Sequence, residues 1–138
     1  MRLRTALVFS VILLMAAPAA RAADPDSAPA IQAMIGWIHQ IDAGQYGESW
    51  DASSTLFRGT ISRQKWIEAL DGTRKPLGPM TSRHIESADY RRSLPGAPDG
   101  EYFVIRFGAT FERKESAVET VTAMKDKGAW KAAGYFIQ

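Results

Sequence analysis

Glu101-Tyr102-Phe103-Val104-Ile105-Arg106-Phe107-Gly108-Ala109-Thr110-Phe111 decides the fold. Phe103, Ile105, Phe107, Ala109 and Phe111 alternate with Tyr102, Val104, Arg106, Gly108 and Thr110, a period of two that belongs to a strand buried on one face. The phenylalanine side is the expected inner face. The same period holds on both sides of this stretch. It predicts strands near Thr81 to Arg91, Ser116 to Met124 and Ala129 to Ile137, separated by turn chemistry at Leu94 to Gly100, Arg113-Lys114 and Asp126-Lys127-Gly128. Four strands joined by short turns make an antiparallel meander.

Register follows from the turns. A two-residue turn at Arg113-Lys114 pairs Phe111 with Ser116 and Ala109 with Val118, which brings Thr120, Thr122 and Met124 to the inner face. A three-residue turn with Gly128 in the left-handed position then sets Met124 opposite Trp130 and turns Ala132, Gly134 and Phe136 inward. On this reading Arg106, Glu119, Lys131 and Tyr135 share the outer face as surface ion-pairing groups.

Upstream of Arg74-Lys75-Pro76-Leu77-Gly78-Pro79 the period lengthens to between three and four. Ala30, Met34, Trp37, Ile38 and Ile41 mark one helix that stops before Gly44. A short second helix is expected near Tyr46 to Ser53. Ser62 caps a third that ends at Gly72, with Ile61 stapling onto Trp66. Trp37, Trp50 and Trp66 sit one per helix and serve as core anchors or, alternatively, as walls of a ligand cage. Helices first and a four-stranded antiparallel sheet afterwards give an α+β architecture.

The first 22 residues read as a secretory leader. Arg2 and Arg4 give a basic start, Leu7 to Ala17 an apolar run, and Ala20-Arg21-Ala22 a cleavage site before Ala23. The uncharged stretch Thr5 to Ala20 holds 16 residues including Pro18, short of the ~20 a spanning helix needs. Removing 22 of the 138 residues leaves 116, enough for one domain with its own core. Ala23 to Pro29 is expected to be a tether, and residues 30–138 the domain.

Loss of Arg2, Arg4 and Arg21 changes the charge from 17 basic against 15 acidic residues to 14 against 15. The basicity of the full chain therefore leaves with the leader, and no basic patch points to nucleic acid. The chain has no cysteine. That excludes disulfides, thiol nucleophiles, thiolate metal sites and a lipid-anchored cysteine. A bacterial domain released into the periplasm or beyond, without membrane attachment, is the expectation.

Chemistry is sparse. His84 beside Glu86 would form a base and its orienting carboxylate if that side of the first strand turned inward; if Ile85 turns inward instead, His84 faces water. Arg74 and Arg83 flank the Pro-Gly break and would either clamp an anion or pin the loop. His39, Asp42 and His84 would all have to converge to hold a metal, and two histidines do not make that case. No phosphate-binding loop, Gly-x-Ser-x-Gly motif or cofactor fingerprint is present.

Ile41-Asp42, Tyr46, Ser49-Trp50, Trp66, Arg74, Leu77-Gly78, Arg83, Leu94-Pro95-Gly96-x-Pro98-Asp99-Gly100-x-Tyr102, Glu119-Thr120-Val121 and Gly128-x-Trp130-Lys131-x-x-Gly134-Tyr135 carry a resemblance. In this order they resemble the small exported bacterial proteins grouped as domain of unknown function 4019. The element order also resembles the cystatin-like, nuclear transport factor 2-like cone, whose members bind small molecules, act as isomerases or dehydratases, or dimerise.

Three functions are consistent with these features. A non-catalytic domain would bind a small ligand or protein partner, with Trp37, Trp50, Arg74 and Arg83 as candidate contacts. An isomerase- or dehydratase-like enzyme would use His84 and Glu86. A structural envelope protein would form a homodimer through the sheet. If the leader is cleaved as read, N-terminal sequencing of the periplasmic protein begins Ala23-Asp24-Pro25. Recovery only as a membrane-held chain still starting at Met1 would count against it.

Overall fold

The computed structural model describes residues 23–138, so the expected leader, with its cleavage residue Ala22, lies outside the described residues. Four helices precede a four-stranded sheet: α1 Ala28–Asp42, α2 Tyr46–Asp51, α3 Thr55–Thr60 and α4 Arg63–Thr73, then β1 Met80–Arg91, β2 Tyr102–Phe111, β3 Lys114–Asp126 and β4 Ala129–Ile137. The sheet is an antiparallel meander in the order β1-β2-β3-β4. β1 and β4 are its edges and do not pair, so the sheet is open. The α+β architecture expected from the sequence is the one observed.

Helix α1 starts earlier than expected. Pro29, assigned to the tether, sits in the first turn, where its missing N–H costs no hydrogen bond. Ala30, Met34, Trp37, Ile38 and Ile41 are all buried and form the helix's inner stripe. Ser62 caps α4 by accepting a hydrogen bond from the Lys65 N–H at 3.2 Å, and Ile61 packs on the core. Helix α3 had no counterpart in the sequence reading. It is one capped turn held by Ser54, with Phe57 its only buried residue, too short to show a period. The Ser54 N–H donates to the Ala132 carbonyl at 2.8 Å, and Thr55 bonds Asp126, which fastens this turn to the β4 side of the sheet.

The inner faces of β3 and β4 differ from the expectation because turns and bulges shift the register. The β2–β3 turn closes on Glu112-Arg113, so Phe111 pairs with Lys114. After a shift between Ala109 and Phe111, Ala109 pairs with Ala117 and Phe107 with Glu119. A one-residue slip exchanges the two faces. Ala117, Glu119, Val121 and Ala123 therefore point inward, not Thr120, Thr122 and Met124. The β3–β4 turn is a two-residue one, Lys127 and Gly128 both having positive φ (51° and 85°), so Met124 faces Lys131 rather than Trp130. A second shift at Ala133 then points Tyr135 inward and leaves Phe136 outside, 55% exposed.

β1 carries two irregularities of its own, at Thr81 and at Glu86. Arg83 pairs with Ala109 and Ile85 with Phe107, but Ser87 pairs with Arg106, so Glu86 is the extra residue. Arg83, Ile85, Ala88 and Tyr90 consequently share the inner side.

Between helices and sheet, Trp37 and Trp66 stack with ring centroids 6.0 Å apart, and Tyr135 meets both rings edge-on. Their polar ends are satisfied. The Trp37 indole donates to the Ser49 carbonyl at 2.8 Å, the Trp66 indole to the Ser49 hydroxyl at 2.9 Å, and the Trp50 indole to the Ile61 carbonyl at 2.8 Å. Ser49 is thus a buried junction between α1, α2 and α4. Ser49→Ala leaves the Trp66 N–H without a partner and should cost about 1–3 kcal/mol. Urea denaturation followed by tryptophan fluorescence should show a lower midpoint at an unchanged slope; an unchanged midpoint would contradict the junction role.

Candidate functional site

The interior of the sheet holds four charged side chains and a phenol. Asp42 ends α1, Arg74 follows α4, Arg83 lies on β1, Glu119 on β3 and Tyr135 on β4. Arg83 grips Asp42 with two nitrogens, Nη1 to Oδ2 at 2.7 Å and Nη2 to Oδ1 at 2.9 Å, while its Nε donates to Glu119 Oε1 at 2.7 Å. Arg74 adds a bond to Asp42 Oδ1 at 2.7 Å, and its Nη1 donates to the Gly78 carbonyl at 3.0 Å. The Tyr135 hydroxyl donates to Glu119 Oε2 at 2.5 Å. The Arg74 guanidinium also lies over the Phe111 ring, 4.2 Å from its centre.

Two guanidiniums against two carboxylates make the cluster neutral. Glu119 is wholly buried and the Arg83 side chain 7% exposed, which only such pairing permits. Burial pushes the Asp42 carboxyl up, but the hydrogen bonds and charges of Arg83 and Arg74 outweigh it and hold it below the usual carboxylate range. Burial opposes the Arg83 charge, yet the bonds to Asp42 and Glu119 hold its proton more tightly than usual. Burial, reinforced by the negative charge of Glu119, raises the Tyr135 phenol well above its ordinary value. All four carboxylate oxygens already accept hydrogen bonds. The arrangement is a clamp that ties the end of α1, the residue after α4, and strands β1, β3 and β4 to one another.

One flank of this clamp opens to solvent. A groove of about 350 Å³ runs between α1 and β1, lined by Ile31, Ile35 and His39 on the helix, by every residue from Met80 to Ile85 on the strand, and by Phe107. Ile85, 45% exposed, is its largest uncovered apolar side chain. A smaller cleft of about 220 Å³ lies between α1 and β4 with Trp37, Gln40 and Trp130 in its walls.

The residues singled out in the sequence separate into distinct places. Arg74 and Arg83 converge, but on Asp42, an anion supplied by the chain itself. Trp37 is buried in the core and borders the smaller cleft; Trp50 is part-buried and anchored on Ile61. His84 and Glu86 lie on the outer face, not inside: a Cβ on Gly108 would stand 2.4 Å from the His84 ring and 2.8 Å from the Glu86 carboxylate. The His84 side chain is 71% exposed and 3.8 Å from Glu86. His39 reaches the groove rim, whereas Asp42 is committed to the arginines, and among the described residues no three His, Asp or Glu side chains gather as a metal site.

Glu119 and Tyr135 belong to the clamp, contrary to their expected place on the outer surface. The signal for Glu119 was slight: Ala117, Val121 and Ala123 in its own phase are apolar, against Val118 and Met124 in the other.

A family model described as Protein of unknown function (DUF4019) matches residues 33–135, and the chain belongs to that family. No curated protein matches it.

Removing one charge strands its partner in the interior. Glu119→Gln should cost about 3–5 kcal/mol, read by urea denaturation at pH 7. The pH profile follows from the two opposite shifts. Asp42 is depressed in the fold, so its contribution is complete above about 4 and lost as pH falls further. Tyr135 is raised, so stability holds below about 10 and is lost as pH climbs past it. Tyr135→Phe should flatten that alkaline limb; an alkaline limb as steep as wild type would exclude Tyr135 as its source.

Proposed function

We propose that this is a non-catalytic binding domain, exported from the bacterial cytoplasm, that holds an apolar ligand in the α1–β1 groove. The observation that carries this reading is the groove itself, an uncovered apolar channel ending on a charge-neutral clamp. Its volume falls in the range of about 300–1,000 Å³ common for ligand sites. Ile85 spans its strand side and Ile31 and Ile35 its helix side. Covering the exposed half of Ile85 would by itself be worth roughly 1 kcal/mol. Export is supported by the basic start, apolar run and small-residue cleavage site of the first 22 residues.

The clamp argues for binding over catalysis, because its acids and phenol are tied to one another. The enzyme reading loses its main support with His84 and Glu86 placed on the outer face. One observation favours a second reading, a homodimer through the sheet: Phe136 stands exposed on that outer face. Arg106 is also there, but Glu119 and Tyr135, which were to flank it, are inside.

Nile red, a neutral apolar dye, should brighten and saturate with the wild-type protein. Ile35→Lys and Ile85→Lys should each weaken it by about fivefold or more, the equivalent of roughly 1 kcal/mol. Glu86→Ala, outside the groove lining, should leave it unchanged. Undiminished binding to both lysine variants would remove the groove from consideration.

A further inference from the structure

We infer that the occupant of the α1–β1 groove is an extended, uncharged peptide segment that adds as a fifth strand along the free edge of β1. The inference rests on the binding role proposed for the groove and specifies what fills it. Side chains of a strand alternate between its two faces. A groove bordered by six consecutive residues, Met80 to Ile85, therefore reaches the main-chain edge of β1 as well as the inner face where Phe107 lies. That edge is unpaired: among the described residues, the ladder partners of Met80 to Ile85 all lie on β2. The opposite edge of the sheet is engaged at one point, where the Ser54 N–H bonds the Ala132 carbonyl of β4.

An unpaired row of N–H and C=O groups is a template for another strand. The helix wall across the groove matches such a strand in spacing. Ile31 and Ile35 are one turn apart, ~6 Å along the helix. Alternate side chains of an extended peptide are ~6.7 Å apart, so two of them meet these isoleucines in step. Charge sets the rest of the chemistry. Arg83 is neutralised by Asp42 and Glu119, leaving the floor with no net charge for an acidic or basic occupant to answer. Irregularities at Thr81 and Glu86 bend the edge and leave Ser82 to Ile85 as its regular run.

The test uses ¹⁵N-labelled protein and two capped hexapeptides of alternating threonine and valine, one unmodified and one N-methylated at every amide. The unmodified peptide should shift the amides of residues 80–85, with Ile31 and Ile35, and slow amide exchange along that edge. The methylated one, with the same side chains but no main-chain donors, should bind about tenfold or more weakly. Equal binding of both peptides would overturn strand addition. If neither peptide binds while Nile red still enters, the strand proposal falls and the groove stands; if all three fail, both fall. Protection of residues 80–85 without peptide, together with a dimer mass in sedimentation, would assign the edge to a second copy and overturn the proposal.

Discussion

The Arg83 guanidinium, held by Asp42 on one side and Glu119 on the other, is the constraint on which the remaining structure depends. A packed apolar cluster of equal volume would stabilise this interior about as well. What the ions add is position. A hydrophobic side chain tolerates a neighbour in many orientations, whereas a planar fork with three committed nitrogens accepts one. Glu119 reaches Arg83 only when β3 sits in the observed register, and Asp42 reaches it only when the end of α1 lies beside β1. A slip of β3 by one residue would send Glu119 to the outer face and leave Arg83 with half its compensation. The clamp thus favours one register over its neighbours while contributing no net charge.

Bulges and turns set which residues take part. The Glu86 bulge lets β1 keep Arg83 and Ile85 inside and still return Ala88 and Tyr90 to the same side. The shift at Ala133 turns Tyr135 inward toward Glu119 and the stacked Trp37 and Trp66. The groove arises from the same geometry, because α1 packs mainly against β4 and leaves the inner face beside β1 uncovered. The clamp and the groove are two results of one asymmetric placement of α1.

Periodic features were legible in the sequence and singular ones were not. The alternation from Phe103 to Phe111, the apolar stripe of α1 and the Ser62 cap each repeat or carry a known chemistry, and each is found where it was read. The faces of β3 and β4 escaped because they hang on whether a turn closes at Glu112-Arg113 or one residue later, a choice with no strong residue signature. From Ala117 to Met124 either phase reads as a plausible strand, with threonines and Val118 in one and Glu119 in the other. Arg74 and Arg83 were recognised as ligand-holding or pinning residues, yet their partner Asp42 was weighed only as a metal ligand. Nothing local announces a pairing made across 32 and 41 residues of chain.

Those separations also order the folding of the molecule. Each hairpin of the meander closes between neighbours in the chain, and short closures come early because they cost little entropy. The clamp joins Asp42 to Arg74 and Arg83, and Arg83 to Glu119, over 32, 41 and 36 residues, then waits for Tyr135 on β4. Helix α1, first in the chain, has its charged end unmatched until Arg74 and Arg83 are brought beside it. The clamp is therefore a late step that reports on all the earlier ones, locking only a chain whose strands have already found their places.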